Sequence, residues 1–225
     1  MVFEATVYKI GERVYMYKDE EAFFNWYNSE ATPDDQALME RVDEFGEFFD
    51  DMLFRSGTSS FELTTIRSTN IAGNWITVGD SLPEELDGFD YSWFRYKAEK
   101  PKKCDGFFRE QESLLCAPPD AEDSTVLHEM IHLHESVING LPMYFHDMLY
   151  WALYQDLRDR IPALDEIITA HAHLLTGSTL YESGGLHDIL FLLKSFDLDI
   201  RMGYPLGTVF GYGRVDDFKG YEYKK

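Results

Sequence analysis

Residues 124–136 read STVLHEMIHLHES, and within them His128, Glu129 and His132 stand in the order H-E-x-x-H. No other stretch constrains the fold as tightly. It carries independent helix signals at both ends: Asp123 or Ser124 caps its start, Gly140 ends it, and Pro142 opens the next segment. On a helix, positions i and i+4 share one face a turn apart, so His128 and His132 point the same way. Glu129 lies about 100° further round. Whatever packs on this helix must accommodate two imidazoles and an adjacent carboxyl.

Two imidazoles at that spacing can each direct a nitrogen at one tetrahedral ion, and Glu129 can reach a water on such an ion without ligating it. The pair of functions is a Lewis acid and a general base for attack on a carbonyl. All seven histidines lie between 128 and 187. A catalytic metal needs a third protein ligand, and several candidates are open. His134, six residues from His128, is turned away on a straight helix and is expected to be exposed or supporting. Glu135 shares the His128 face at i+7 but lies about 10 Å along the axis, so it is expected to support a ligand imidazole. His146 is the first candidate. Asn139-Gly140 breaks the helix about 12 Å beyond His132, and residues 140–145, if extended, span up to roughly 20 Å and can return to the ion. The next helix would begin near His146 and bury Leu149, Tyr150, Leu153 and Leu157; the competing reading packs His146 on that stripe. Glu166, in ALDEIITAH, is the alternative third ligand and would give a two-His, one-Glu set. His171, His173 and Glu182 are also open, while Cys116 lacks a supporting context.

The rest of the chain must supply a core. With 44% hydrophobic and 16% aromatic residues, 225 residues can bury one without metal or disulfide staples. Residues 2–17 alternate as one or two strands turning at Gly11, and DEEAFFNWYNSE reads as a short helix. Leu38, Val42, Phe45, Phe49 and Met52 recur at helical spacing, predicting an amphipathic helix over about 34–54. Between 60 and 117 the pattern changes to short strands: SFELTTIRS, NWITVGD, YSWFRYKAE and ESLLCAP. After the motif helix, further helices are expected over about 163–175, stopped by Gly177, and over about 184–196. The glycine-rich YPLGTVFGYGR reads as a strand with turns. No repeat or linker divides the chain, so a single α+β domain over 1–225 is expected.

The segment STVLHEMIHLHESVINGLPMYFHDMLYWAL resembles the core of SprT-like zinc metallopeptidases. In that family a T-L-x-H-E-M-x-H helix is followed, after a short glycine-containing loop, by a histidine opening the next helix. The preceding order is similar too: a helix, a small sheet, then a segment like GFFREQESLLCAPPD leading as an edge strand into the motif helix. The resemblance covers about 34–160 and is specific across 125–150; residues 161–225 form a helical extension without a counterpart. It implies a zincin-like α+β fold with an N-terminal helix, a small mixed sheet, the H-E-x-x-H helix and C-terminal helices. It implies Zn²⁺ held by His128, His132 and His146, with Glu129 as the catalytic base. The chain departs from the family in reading HDMLY where H-G-x-x-F is usual, with Tyr150 at the aromatic's place. It also lacks the C-terminal zinc ribbon and the basic DNA-binding character of some members.

The expectation is therefore a zinc-dependent metallopeptidase acting on proteins or peptides. Tyr181, Tyr144 or His187 would steady the oxyanion, and Asp147 or Glu135 would orient a ligand imidazole. Two alternatives stand beside it: a non-catalytic zinc-containing interaction module, and a hydrolase of small amides. An open groove beside an edge strand at 111–117 would favour extended peptides. The 41 acidic against 20 basic residues, a formal charge of −21, oppose direct nucleic-acid or anionic-membrane binding and suit a basic partner. Two cysteines and no signal-like start point to a cytoplasmic protein, with signal-independent secretion as the alternative.

Overall fold

The computed structural model describes residues 7–10, 13–16, 20–53, 70–71, 74–75, 94–102, 104–110, 114–138, 143–175, 187–211 and 214–224. Side chains are described for 25–46, 48–49, 94–102, 104–110, 114–136, 150–175, 187–211 and 214–224. Among these residues the chain is a mixed α+β protein with six α-helices, one three-stranded sheet and two antiparallel strand pairs. Its contacts fall into two units, Met1–Asp50 with Glu84–Leu141 and Asp51–Pro83 with Pro142–Lys225.

In the first unit, β1 (Val7–Ile10) pairs antiparallel with β2 (Arg13–Met16), matching the alternation around Gly11. Helix α1 spans Glu20–Ser29 and α2 spans Pro33–Leu53, within a residue of the helix expected over 34–54. Thr32 and Asp35 cap α2 reciprocally: the Thr32 hydroxyl accepts from the Asp35 amide at 3.2 Å, and Asp35 Oδ2 accepts from the Thr32 amide at 2.8 Å. Asp35 Oδ1 also accepts from the Ala98 amide at 2.6 Å, tying the helix start to the sheet. Leu38, Val42 and Phe49 are buried, which accounts for the periodicity. Strands β5 (Arg95–Ala98), β6 (Phe107–Arg109) and β7 (Leu114–Ala117) form a mixed sheet in the order β5-β7-β6, with β5–β7 parallel and β6–β7 antiparallel.

That order corrects one expectation. The strand leading into the motif is central rather than an edge, because β7 is paired on both sides; 111–113 lie outside the described residues. Helix α3 (Asp123–Ile138) packs on β6 and β7. Its residues Val126, Leu127, Met130 and Ile131 are buried with Tyr96, Leu115, Cys116 and Ala117. Each large apolar side chain so buried contributes roughly 1.5–3 kcal/mol relative to exposure. Asp123 is the first residue of α3, and its carboxylate accepts from Arg41 of α2, which also donates to the Ala121 carbonyl at 2.7 Å.

The second unit holds β3 (Asn70–Ile71) paired antiparallel with β4 (Asn74–Trp75), which is the described part of NWITVGD. SFELTTIRS lies outside the described residues. Helix α4 (Met143–Arg160) buries Leu153 and Leu157 and packs against α6 (Ile189–Met202). The helix expected over 163–175 is a shorter α5 (Leu164–Ala170) followed by a 3-10 turn at Ala172–Leu174. The last helix begins and ends later than the expected 184–196. Asp188 accepts from the Phe191 amide at 2.8 Å and sets the start, while Gly203, at φ +74°, sets the end.

Helix α6 is buried from Leu190 to Ile200, charged residues included. Lys194 Nζ donates to Asp197 Oδ2 at 2.8 Å, and Arg201 Nε donates to Asp197 Oδ1 at 3.2 Å. Internal pairing is what lets these charges sit in a core. The C-terminal YPLGTVFGYGR is not a strand; its described residues form turns. Asp199 dictates this by accepting from the amides of Gly207 at 2.7 Å and Val209 at 2.9 Å, which removes them from any ladder. Gly207 sits at φ +88°, and a Cβ there would collide with the Phe218 ring.

Candidate metal centre

Helix α3 arranges its motif as the spacing requires. The His128 and His132 ring centroids lie 5.1 Å apart, with the planes at 80°. Both His128 and Glu129 are buried, Glu129 to 2% exposure. Glu135 Oε2 lies 3.3 Å from His132 Nδ1, one turn along the same helix. A proton on Nδ1 shared with that carboxylate would leave Nε2 as the lone-pair donor of His132.

His128, His132 and His187 form a group able to hold a metal ion: each offers one ring nitrogen, and the three nitrogens lie within 4.8 Å of one another. From the sequence His187 is expected only as an oxyanion candidate. It immediately precedes Asp188, the capping residue of α6, and so projects from a defined helix start. Its ring lies 4.4 Å from that of Phe191 and 5.3 Å from that of Phe210, centroid to centroid. Burial, and then the Arg214 charge, hold its imidazole below the ordinary histidine value, so it is neutral near pH 7 and has a lone pair to donate. The signal that could have pointed to it is D-I-L-F-L-L after a histidine, a cap followed by an apolar helix.

Other expected residues lie elsewhere. Glu166 is exposed on α5 and accepts from the Tyr221 hydroxyl at 3.4 Å. His171 is surrounded by the rings of Phe218 at 4.8 Å and Tyr221 at 6.0 Å. His173 is exposed and its Nδ1 lies 3.2 Å from the Ala170 carbonyl oxygen, which its N–H can reach. None of the three belongs to the metal-holding group found among the described residues. Cys116 is buried on β7, donates to the Glu99 carbonyl at 3.5 Å, and has its thiol pushed by burial up to about 11, far from the thiolate a metal requires. His134 is buried rather than exposed, because α2 covers it: the Phe49 ring lies 5.4 Å away. His146 falls within α4, but its side chain, those of Tyr144 and Asp147, and all of Tyr181 and Glu182 lie outside the described residues.

The donor set is three imidazoles with one carboxylate accepting behind it and a second, Glu129, beside it. Such a set suits Zn²⁺ and other borderline divalent ions rather than Ca²⁺ or Mg²⁺, which take oxygen ligands. Comparison with family models, with curated proteins and with solved structures finds no match for this chain. Among the described residues no helix is long and apolar enough to cross a membrane.

Proposed function

We propose that the chain is a zinc-dependent metallopeptidase with a zincin-like site, in which His128, His132 and His187 hold the ion and Glu129 is the general base. The observation that carries this reading is the approach of three imidazole nitrogens to within 4.8 Å, next to a buried glutamate on the motif helix. The resemblance of 124–153 to SprT-like enzymes supports the roles of His128, Glu129 and His132. The resemblance implies His146 as the third ligand; its side chain lies outside the described residues, and we take His187 for that position.

When bound, the ion would supply a Lewis acid that acidifies a water and polarises a carbonyl. Glu129 takes the proton from the attacking water and delivers it to the leaving amine. Glu135 holds the His132 ring by its Nδ1 side. The charge of −21 favours basic protein or peptide substrates. One observation favours a second reading: Glu129 at 2% exposure gives little access to an extended chain, which suits small amides.

Elemental analysis of purified wild type, His187→Ala, His146→Ala and Glu129→Gln tests the assignment. The wild type, His146→Ala and Glu129→Gln should carry one zinc per chain, and His187→Ala should lose it. Zinc lost from His146→Ala and kept by His187→Ala would return the third position to His146. Labelled histone, a basic protein, and N-acyl amino-acid amides then separate the two substrate classes. Glu129→Gln should lower turnover by on the order of 10²–10⁴-fold. Unchanged turnover in that variant would refute the role of Glu129.

A further inference from the structure

We infer that Gly106 is a positioning residue for Glu129, its missing side chain leaving the space in which the Glu129 carboxyl lies. Gly106 is buried and immediately precedes β6. A Cβ built on it would stand 2.9 Å from Glu129 Cγ, 3.1 Å from Glu129 Oε1 and 3.2 Å from the Cys116 carbonyl oxygen. Conformation does not call for glycine here, since Gly106 is not among the glycines with positive φ. Space does.

Which neighbour would yield to a methyl group follows from how each is held. The Cys116 carbonyl belongs to β7, whose backbone is paired with β5 on one side and with β6 on the other, where Cys116 stands opposite Phe107. That backbone cannot retreat without disturbing both pairings. Glu129 is attached to α3 by rotatable bonds, so its carboxyl is the group that moves. A general base must stay within about 2.6–3.2 Å of the proton it takes, and a displacement near 1 Å can cost on the order of 10²-fold. None of the three atoms nearest that Cβ belongs to a ligand histidine, so metal binding should survive the substitution while the base is misplaced.

The inference rests on Glu129 being the base only in its kinetic part; the steric part is tested separately. Wild type, Gly106→Ala, Glu129→Ala and the double variant are compared for Tm, zinc content, and kcat and KM on labelled histone. Gly106→Ala should keep its zinc and its KM within about twofold while kcat falls by on the order of 10²-fold. Its loss of Tm should shrink by at least about half in the Glu129→Ala background, where the opposing side chain is gone. An equal Tm loss in both backgrounds, or an unchanged kcat with histone turned over by the wild type, overturns the inference. Should Gly106→Ala fail to fold, recovery of folding in the double variant supports it, and failure of both refutes it. If wild type does not cleave histone, the peptidase reading fails and the Tm cycle alone decides Gly106.

Discussion

The Glu135 carboxylate, 3.3 Å from His132 Nδ1, is the residue-scale contact with the clearest consequence for a metal. Removing an acceptor behind a ligand imidazole typically lowers metal affinity about 10–100-fold. Glu135→Gln should therefore weaken zinc binding by that amount in a competition titration with a chromogenic chelator, and an unchanged affinity would remove Glu135 from the site. Two buried carboxyls behave in opposite ways with pH. Burial opposes the charge of Asp35, yet the amides of Ala98 and Thr32 outweigh it and hold the carboxyl below its ordinary value. Its contribution is present above the ordinary carboxylate range and lost as pH falls. Burial of Asp199 wins over its amide partners and pushes it up to about 7. Between about pH 4 and about 7 the folded chain keeps a proton there that the unfolded chain has lost, so that contribution fades as pH rises through this window. Carboxyl ¹³C NMR should show Asp199 titrating near 7, with the Gly207 and Val209 amides shifting at the same midpoint; a midpoint near 4 would contradict this.

At the scale of elements, α6 shows how a helix start can place a functional side chain. Asp188 caps the helix through the Phe191 amide, and His187 stands directly before it. Asp188→Ala should cost about 1 kcal/mol in urea unfolding. It should also weaken zinc binding, because an uncapped helix start no longer holds His187. Loss of stability without loss of zinc affinity would separate the cap from the site. Much at this scale was legible in the sequence. The apolar spacing of Leu38, Val42 and Phe49 and the Thr32-Pro33 start marked α2, since a one-sided helix writes its period into the chain. Helix α6 was harder: Lys194, Asp197, Asp199 and Arg201 look like the polar end of a surface helix, and the burial of the first three is explained only by the pairing of Asp197 with Lys194 and Arg201 and of Asp199 with the Gly207 and Val209 amides. The strand into the motif was also legible as a strand, but not as the centre of its sheet. Pairing partners are chosen by residues distant in sequence.

For the whole molecule, the relation between metal and folding follows from where the apolar residues are. Buried side chains such as Tyr96, Leu115 and Leu127 in one unit and Leu157, Phe191 and Phe196 in the other have no dependence on an ion. Chelation should leave the far-UV circular dichroism unchanged and lower Tm reversibly, by the linkage term for a ligand that binds only the folded state. Collapse of the helical signal on chelation would make the ion a structural staple instead. The sequence by itself determined the α+β class, the motif helix with its two histidines and glutamate on neighbouring faces, and the acidic character of the surface. These depend on local periodicity, caps and composition. Only the tertiary structure decided which strand lies between the others, that His134 lies under Phe49, that Gly106 clears room for Glu129, and that His187 joins His128 and His132. Each of those is a meeting of residues far apart along the chain, and no local pattern encodes the partner.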